Sequence, residues 1–261
     1  MKKIVLKFGG AALADLGSFC SISKIIKAKL SSYSVCVVVS AMQGVTDQLL
    51  QLASKMDSGL PSRELDMLLS TGEIFSMSLL AMALHKEGIE AISLTGEQAG
   101  IITSSCHVNA KIIDVNKERL CRELESGRVV IVAGFQGVSK KKEITTLGRG
   151  GSDITAVALA IALSSEIVQF YKDVEGIYSM DPKTHPDAEL LKNISYEKSL
   201  ELVKNQSKIL HPRCIALAAA HQISLQVLSF LHPHSIGTTV SDLSCAKKPN
   251  FLYEWGHSYL S

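Results

Sequence analysis

At 261 residues, 46% of them hydrophobic and 20% charged, the chain has a globular balance and lies outside the disordered range. Its net charge of +2 comes without a basic stripe or interleaved aromatics, which argues against nucleic acid as a partner. The longest apolar runs, around 75–84 and 154–163, fall short of the ~20 residues of a membrane span, and MKKIVLKFGG is too short in apolar residues for a signal peptide, so the expected location is the cytoplasm with no membrane partner.

IVLKF (4–8) reads as a buried strand, and Leu16, Phe19, Ile22, Ile26 and Leu30 then recur at helical spacing. VCVVVSA (35–41) is a second β-branched run, and VTDQLLQLASKM (45–56) is helical. Pro61 opens a long helix that runs to about Lys86, with Gly88 beyond its end. AISL (91–94) reads as a strand, NKERLCRELESG (116–127) as a helix and its Gly stop, and RVVIVAGF (128–135) as a central strand. A helix over 152–164 leads to the strand IVQFY (167–171). Ser195 caps YEKSLELVKN, a further helix covers about 213–221, SLQVLSF (224–230) is the last core strand, and TTV (238–240) lies near an edge.

Near-continuous apolar strands alternating with helices imply an α/β fold with a mainly parallel sheet covered on both faces. Ligands in such sheets gather at the carboxyl ends of the strands. Five glycine-bearing turns fall there: KFGG (7–10), SAMQGVTD (40–47), GFQGV (134–138), GRGGSD (148–153) and KDVEGIY (172–178). A boundary near 150–165 would divide a larger N-lobe from a smaller C-lobe. The six cysteines show no C-x-x-C spacing and are expected to be reduced and buried, and His232 and His234 read as loop residues without a ligand cluster.

Glycine-rich turns at helix starts present backbone N–H groups and a favourable dipole to anions. KFGG adds Lys7 to such a turn. GRGGSD is neither the dinucleotide fingerprint nor a Walker loop, and no Gly-Lys-Ser/Thr occurs in the chain. Asp153 suits a first-turn cap, but capping leaves Arg149 and the glycine pair Gly150–Gly151 unexplained. Glu73, in LLSTGE, stands mid-helix between apolar flanks, where a carboxylate needs a cationic partner. Lysines and helix N-termini suit phosphoryl groups, and a separate Glu and Arg suit the two ends of a zwitterion. A substrate carboxylate with a pKa of about 4 is its own nucleophile and needs no general base, so positioning and charge stabilisation would carry the reaction.

KFGG (7–10), VVVSAMQGVTDQLL (37–50), LLSTGE (68–73), SLTGEQAGI (93–101), VAGFQGV (132–138), TTLGRGGSD (145–153), KDVEGIYSMDP (172–182) and KILHPR (208–213) occur in this order. Together, over residues 2–242, they resemble the catalytic domain of the aspartokinases, within the amino acid kinase superfamily. The resemblance implies a three-layer αβα sandwich with a mainly parallel, about eight-stranded sheet. It implies phosphoryl transfer from ATP, with Mg²⁺ bridging the phosphates, to L-aspartate, giving ADP and 4-phospho-L-aspartate. That is the committed step towards lysine, diaminopimelate, threonine and methionine. By the same resemblance the N-lobe (about 1–155) would bind the amino acid, the C-lobe (about 156–242) the nucleotide, and 243–261 would be a tail.

The resemblance makes Lys7, Asp153 and Lys208 the catalytic set, with Asp153 orienting the lysines rather than acting as a base. Ser40, Thr46, Glu73, Arg149 and Ser152 would form the aspartate site, with Arg149 on the α-carboxylate. ATP would lie on Lys7, Phe8, Gly9, Gly10, Gly150, Gly151, Tyr171, Lys172, Asp173, Tyr178, Lys183, Lys208 and Ile209, and no protein metal site is assigned. The chain departs from the family pattern at Ala11-Ala12 (usually Thr-Ser), at Lys172 (Thr in many members, though plant-type members resemble this chain there) and at Gln206-Ser207 (usually Gly-Ala). Members usually continue into paired ACT domains, and the tail after 242 does not resemble an ACT start, so feedback inhibition through such a site is not expected. The resemblance implies a homodimer through the catalytic region. Competing readings are a related kinase acting on glutamate, acetylglutamate, carbamate or a nucleoside monophosphate, and a non-catalytic nucleotide-binding regulatory paralogue. The Glu73–Arg149 pair favours a free amino acid, because an acetylated amine has no use for a carboxylate.

Overall fold

The computed structural model describes residues 1–56, 59, 61–205, 209–242 and 253–254. In chain order they form β1 (Lys2–Phe8), a short 3-10 helix (Gly10–Leu13), α1 (Leu16–Lys27), β2 (Tyr33–Val39), α2 (Val45–Met56), α3 (Ser62–Lys86), β3 (Ala91–Leu94), β4 (Ile101–Thr103), β5 (Ile112–Val115) and α4 (Glu118–Glu125). There follow β6 (Val129–Ala133), β7 (Gln136–Ser139), β8 (Ile144–Thr146), α5 (Gly151–Leu163), β9 (Ile167–Lys172), β10 (Asn193–Ile194), α6 (Tyr196–Asn205), α7 (Pro212–His221), β11 (Ser224–Ser229) and β12 (Ile236–Val240).

The main sheet has eight strands in the order β10-β12-β11-β9-β1-β2-β6-β3. Every pairing in it is parallel except β11–β12. Alternation along the strands separates two cores. Val5, Cys36, Val38, Val130 and Val132 face α4, α5 and α7. Ile4, Leu6, Phe8, Val35, Val37, Val39 and Ile131 face α1 and α3. The result is the expected three-layer αβα sandwich, and it explains why these strands read as apolar runs: both faces are buried. The sheet is continuous across 150–165, because β1 pairs with β2 on one side and β9 on the other.

A second sheet, β5-β4-β7-β8, stands apart from the main one and corrects the reading of GFQGV as a turn throughout: β7 begins at Gln136. It docks on α3 through polar groups. The Gln136 side-chain amide donates to the Ser70 carbonyl at 2.8 Å. Fully buried Asp66 accepts from the Val108 amide at 3.0 Å and from the Thr146 hydroxyl, and meets His107 Nδ1 at 2.6 Å.

α3 is longer in apolar character than expected: by length and composition alone its 25 residues could cross a membrane. It is one of the helices covering the sheet, and its buried residues include Asp66 and Glu73. The helix is unbroken at Gly72, where an added Cβ would stand 2.8 Å from Cβ of Ala41, so the glycine marks a close approach between α3 and the end of β2. The cysteines also differ from expectation. Cys36 and Cys214 are buried and Cys20 and Cys121 partly so, but Cys106 is exposed; Cys245 lies outside the described residues.

Candidate active site

The carboxyl ends of β1, β2, β6 and β9 meet the N-terminus of α5, as the parallel topology requires. Lys7, next to last in β1, points its ammonium at Asp153 Oδ1, 2.7 Å away. Lys172, the last residue of β9, reaches Asp153 Oδ2 at 3.4 Å. Asp153 therefore does not cap: the N-cap of α5 is Gly150, and the aspartate sits inside the first turn with its carboxylate between two ammonium groups. Burial would raise the Asp153 pKa, but attraction to Lys172 and Lys7 outweighs it and carries the group down to about 2. Lys7 is only 4% exposed, and burial is the main reason its pKa falls below the usual 10.5; Asp153 opposes that fall and Lys172 adds to it.

Beside this cluster lies a cavity of about 380 Å³ lined by Lys7, Gly9, Gly10, Ala11, Ala12, Tyr171, Lys172, Asp173, Val174 and Ile209. Phe8 and Tyr171 stack below it, with ring centroids 4.7 Å apart. Gly10 lies close to Ala41, whose carbonyl oxygen would stand 3.1 Å from an added Cβ. Gly150 has φ +72°, and a Cβ there would strike the His211 ring at 2.3 Å, so only glycine fits this turn. Gly151 is likewise closed in by Leu147 and Phe135.

Glu73 lies on the other side of Ala41. One carboxylate oxygen accepts from the Ala41 amide at 3.0 Å; the other is buried and without a hydrogen-bond partner. Its expected cationic partner is not in ion-pair contact among the described residues; Lys7 acts on it only from a distance. Burial raises its pKa to about 7, against the Ala41 amide, its own backbone amide and Lys7. An unpaired buried carboxylate is costly unless a cation joins it. Ser40 follows β2 and Thr46 lies in the first turn of α2, both partly buried. Ser152 is buried against Gly134 at the end of β6. Arg149 is exposed on the loop before α5.

Not every expected residue joins this cluster. Tyr178 is partly buried and its hydroxyl turns to Glu175 at 3.4 Å; Lys183 is exposed, and neither lines the cavity. Lys208, with Gln206 and Ser207, lies outside the described residues, as does the tail 243–261 apart from Tyr253 and Glu254. Other residues carried no assignment in the sequence. His211, within the quoted KILHPR, caps α7 and closes on Gly150. Arg213 donates to the Leu147 carbonyl at 2.7 Å, two residues before Arg149, and pairs with Glu254 at 2.7 Å. Glu254 also accepts from the Ile112 amide at 3.0 Å.

Residues 2–229 match the pattern of the amino acid kinase family. The chain belongs to the amino acid kinase family. This amino acid kinase is 44% identical over 243 residues to an aspartokinase of Bacillus sp. (strain MGA3), covering 93% of the chain and 59% of that relative. It is 48% identical over 231 residues to an aspartokinase of Mycobacterium tuberculosis, covering 88% of the chain and 55% of that relative. The chain thus spans just over half the length of the curated relatives it matches. Among solved structures it superposes on aspartate kinase from Synechocystis with a TM-score of 0.83 at 39% identity, covering 94% of the chain and 40% of that one. It superposes equally well, at 0.83 and 25% identity, on E. coli aspartokinase III in complex with aspartate and ADP, covering 94% of the chain and 65% of that one.

Proposed function

We propose that this amino acid kinase is the catalytic unit of an aspartate kinase, transferring the terminal phosphoryl group of ATP to the side-chain carboxylate of L-aspartate. The observation that carries this reading is the adjacency of two differently charged places. Lys7 and Lys172 stand beside a glycine-rich cavity, and one residue step away, across Ala41, buried Glu73 has an oxygen without a partner. The first suits phosphates and the second an ammonium group. The aspartokinase relatives, and the aspartate and ADP named for the E. coli structure, support the same pair of substrates.

On this reading the amides of Gly9, Gly10 and Gly150 receive phosphate oxygens, Gly151, whose own amide bonds the Gly148 carbonyl at 3.0 Å, lets the backbone approach them, and Lys7 with Lys208 flanks the transferring group. Lys172 stands beside the phosphates, Tyr171, Asp173 and Ile209 line the cavity around the rest of the nucleotide with Phe8 stacked on Tyr171, and Tyr178 and Lys183, which do not line the cavity, are assigned to the nucleotide by the resemblance alone. Asp153 fixes the direction of the Lys7 ammonium. It takes no proton from the substrate, since a carboxylate nucleophile is already ionised at neutral pH. Glu73 binds the substrate ammonium and Arg149 the α-carboxylate, with Ser40, Thr46 and Ser152 completing the site. The described residues offer no group of three or more His, Cys, Asp or Glu suited to a metal ion. Asp153 is already taken up by two ammoniums, so on this reading Mg²⁺ would come with the ATP phosphates. The reading carries with it a cytoplasmic reaction and a homodimer; molar mass by light scattering checks the dimer.

ADP release is measured with Mg-ATP and, in separate reactions, aspartate, glutamate, acetylglutamate and UMP. Turnover with aspartate well above the others supports the proposal. Turnover with another acceptor and none with aspartate refutes it.

A further inference from the structure

Asp66 is a buried carboxylate that the proposed reaction leaves unused. It lies on α3 seven residues, and so two turns, before Glu73, on the same face of the helix. Its contacts come from two separate segments. The loop 104–111 between β4 and β5 supplies the Val108 amide at 3.0 Å and His107 Nδ1 at 2.6 Å, and the end of β8 supplies the Thr146 hydroxyl. Val108 stands in the left-handed region, with φ +68°. A β-branched residue there is strained by about 1–3 kcal/mol and persists only where its surroundings over-determine it. The carboxylate on its amide is such a constraint.

The loop held in this way walls the turn that carries Arg149. Gly148 and Gly150, both at φ +72°, stand on either side of that arginine. A Cβ on Gly148 would lie 3.0 Å from the Asn109 side-chain oxygen and 3.1 Å from the Val108 carbonyl. The Ala110 amide donates to the Thr146 carbonyl at 2.8 Å. Arg213 donates to the Leu147 carbonyl at 2.7 Å and to the Ala110 carbonyl at 3.2 Å, tying the two segments together. Residues 146–148 thus have little freedom while 107–110 stay in place. Arg149 is exposed, so the backbone of this turn decides where its guanidinium can reach.

We infer that Asp66, with His107, is a positioning residue for the amino-acid substrate: by holding Val108 and Thr146 it sets the turn from which Arg149 reaches the α-carboxylate. One helix then governs both ends of the zwitterion, Glu73 directly at the ammonium and Asp66 through Arg149 at the carboxylate. This rests on the reading of Arg149 as the carboxylate-binding residue, and the test measures that reading separately.

Steady-state kinetics compare the intact chain with D66A, H107A, R149A, D66A/R149A and H107A/R149A, with folding checked by circular dichroism and thermal unfolding. R149A should raise KM for aspartate about tenfold or more, the loss of one charge-assisted pair. D66A should raise it about fivefold or more and H107A about threefold, each leaving KM for ATP within about twofold. In the R149A background neither should raise it further by more than about twofold, because residues that act through one another are not additive. A lower Tm with unchanged aspartate KM, equal rises in both KM values, or full additivity with R149A would each overturn the inference. So would failure of both D66A and H107A to fold, which would make the cluster structural alone. R149A with the wild-type aspartate KM removes the α-carboxylate assignment and this inference with it. D66A and H107A with the wild-type KM, beside a weakened R149A, remove this inference and leave that assignment standing.

Discussion

Replacing Glu73 by glutamine should make the unliganded protein more stable at pH 8 and unable to hold an amino acid. The side chain is 3% exposed, and burial raises its pKa from the usual 4.5 to about 7. A carboxyl whose folded pKa lies above its unfolded one favours the folded state when protonated. Its effect is therefore absent below pH 4.5 and grows as a penalty while the pH rises to 7, then levels off. At about 1.4 kcal/mol per pH unit over that interval the penalty is roughly 3 kcal/mol. Glutamine keeps the shape and the acceptor for the Ala41 amide and has no charge to bury. Urea unfolding of both proteins at pH 5 and pH 8 isolates the effect, since all other titrations are shared. Glu73→Gln should unfold much as wild type does at pH 5 and at distinctly higher urea at pH 8, while calorimetry shows no aspartate binding. Parallel stability curves across this range, or full aspartate affinity in the variant, would refute the argument that Glu73 is a charge kept unpaired for a substrate ammonium.

Asp153→Asn should lose acid sensitivity in a different window. The folded pKa of Asp153 lies near 2 against a usual 3.8, so its stabilising contribution is present above pH 3.8 and lost as the pH falls towards 2; acid unfolding curves compare the two proteins there. The same variant should lose orders of magnitude in kcat at pH 8, far beyond the ~1 kcal/mol of a helix cap, and a loss of only a few-fold in a steady-state assay would return Asp153 to a structural role. Gly150→Ala places a Cβ at φ +72° against the His211 ring, and should cost about 2 kcal/mol or more in denaturant unfolding. Glu254→Ala removes the carboxylate partner of Arg213, which keeps the Leu147 and Ala110 carbonyls, and the side-chain acceptor of the Ile112 amide, and a loss of about 2 kcal/mol, read by thermal unfolding, should follow.

The main sheet was legible because its strands are buried on both faces: YSVCVVV, VVIVA and SLQVLS announce themselves by β-branched and apolar runs, and the turns between them by glycine. The second sheet was not. Its strands have three or four residues, include QGVS and ITT, and lean on side-chain hydrogen bonds to α3 that no local periodicity records. The Asp66–His107–Thr146 cluster escaped for the same reason, since its members lie on three separated segments. Within the site, Lys7, Asp153 and Glu73 stood out as charges in apolar or glycine-rich surroundings, and all three are buried. The double engagement of Asp153 could not be read, because β1, α5 and β9 are brought together only by the sheet order. The Arg213–Glu254 pair had no signal either: the tail has no apolar repeat, and its anchor is a pair of polar contacts across 41 positions.

The central claim is that the terminal phosphoryl group of ATP passes to the side-chain carboxylate of aspartate. Its most direct test is to run the reaction with Mg-ATP, aspartate and hydroxylamine, and to identify the trapped product by mass spectrometry and NMR. The account predicts a hydroxamate on the side-chain carboxyl, formed in step with ADP and absent from Asp153→Ala. ADP release without hydroxamate, or hydroxamate on the α-carboxyl, would contradict it.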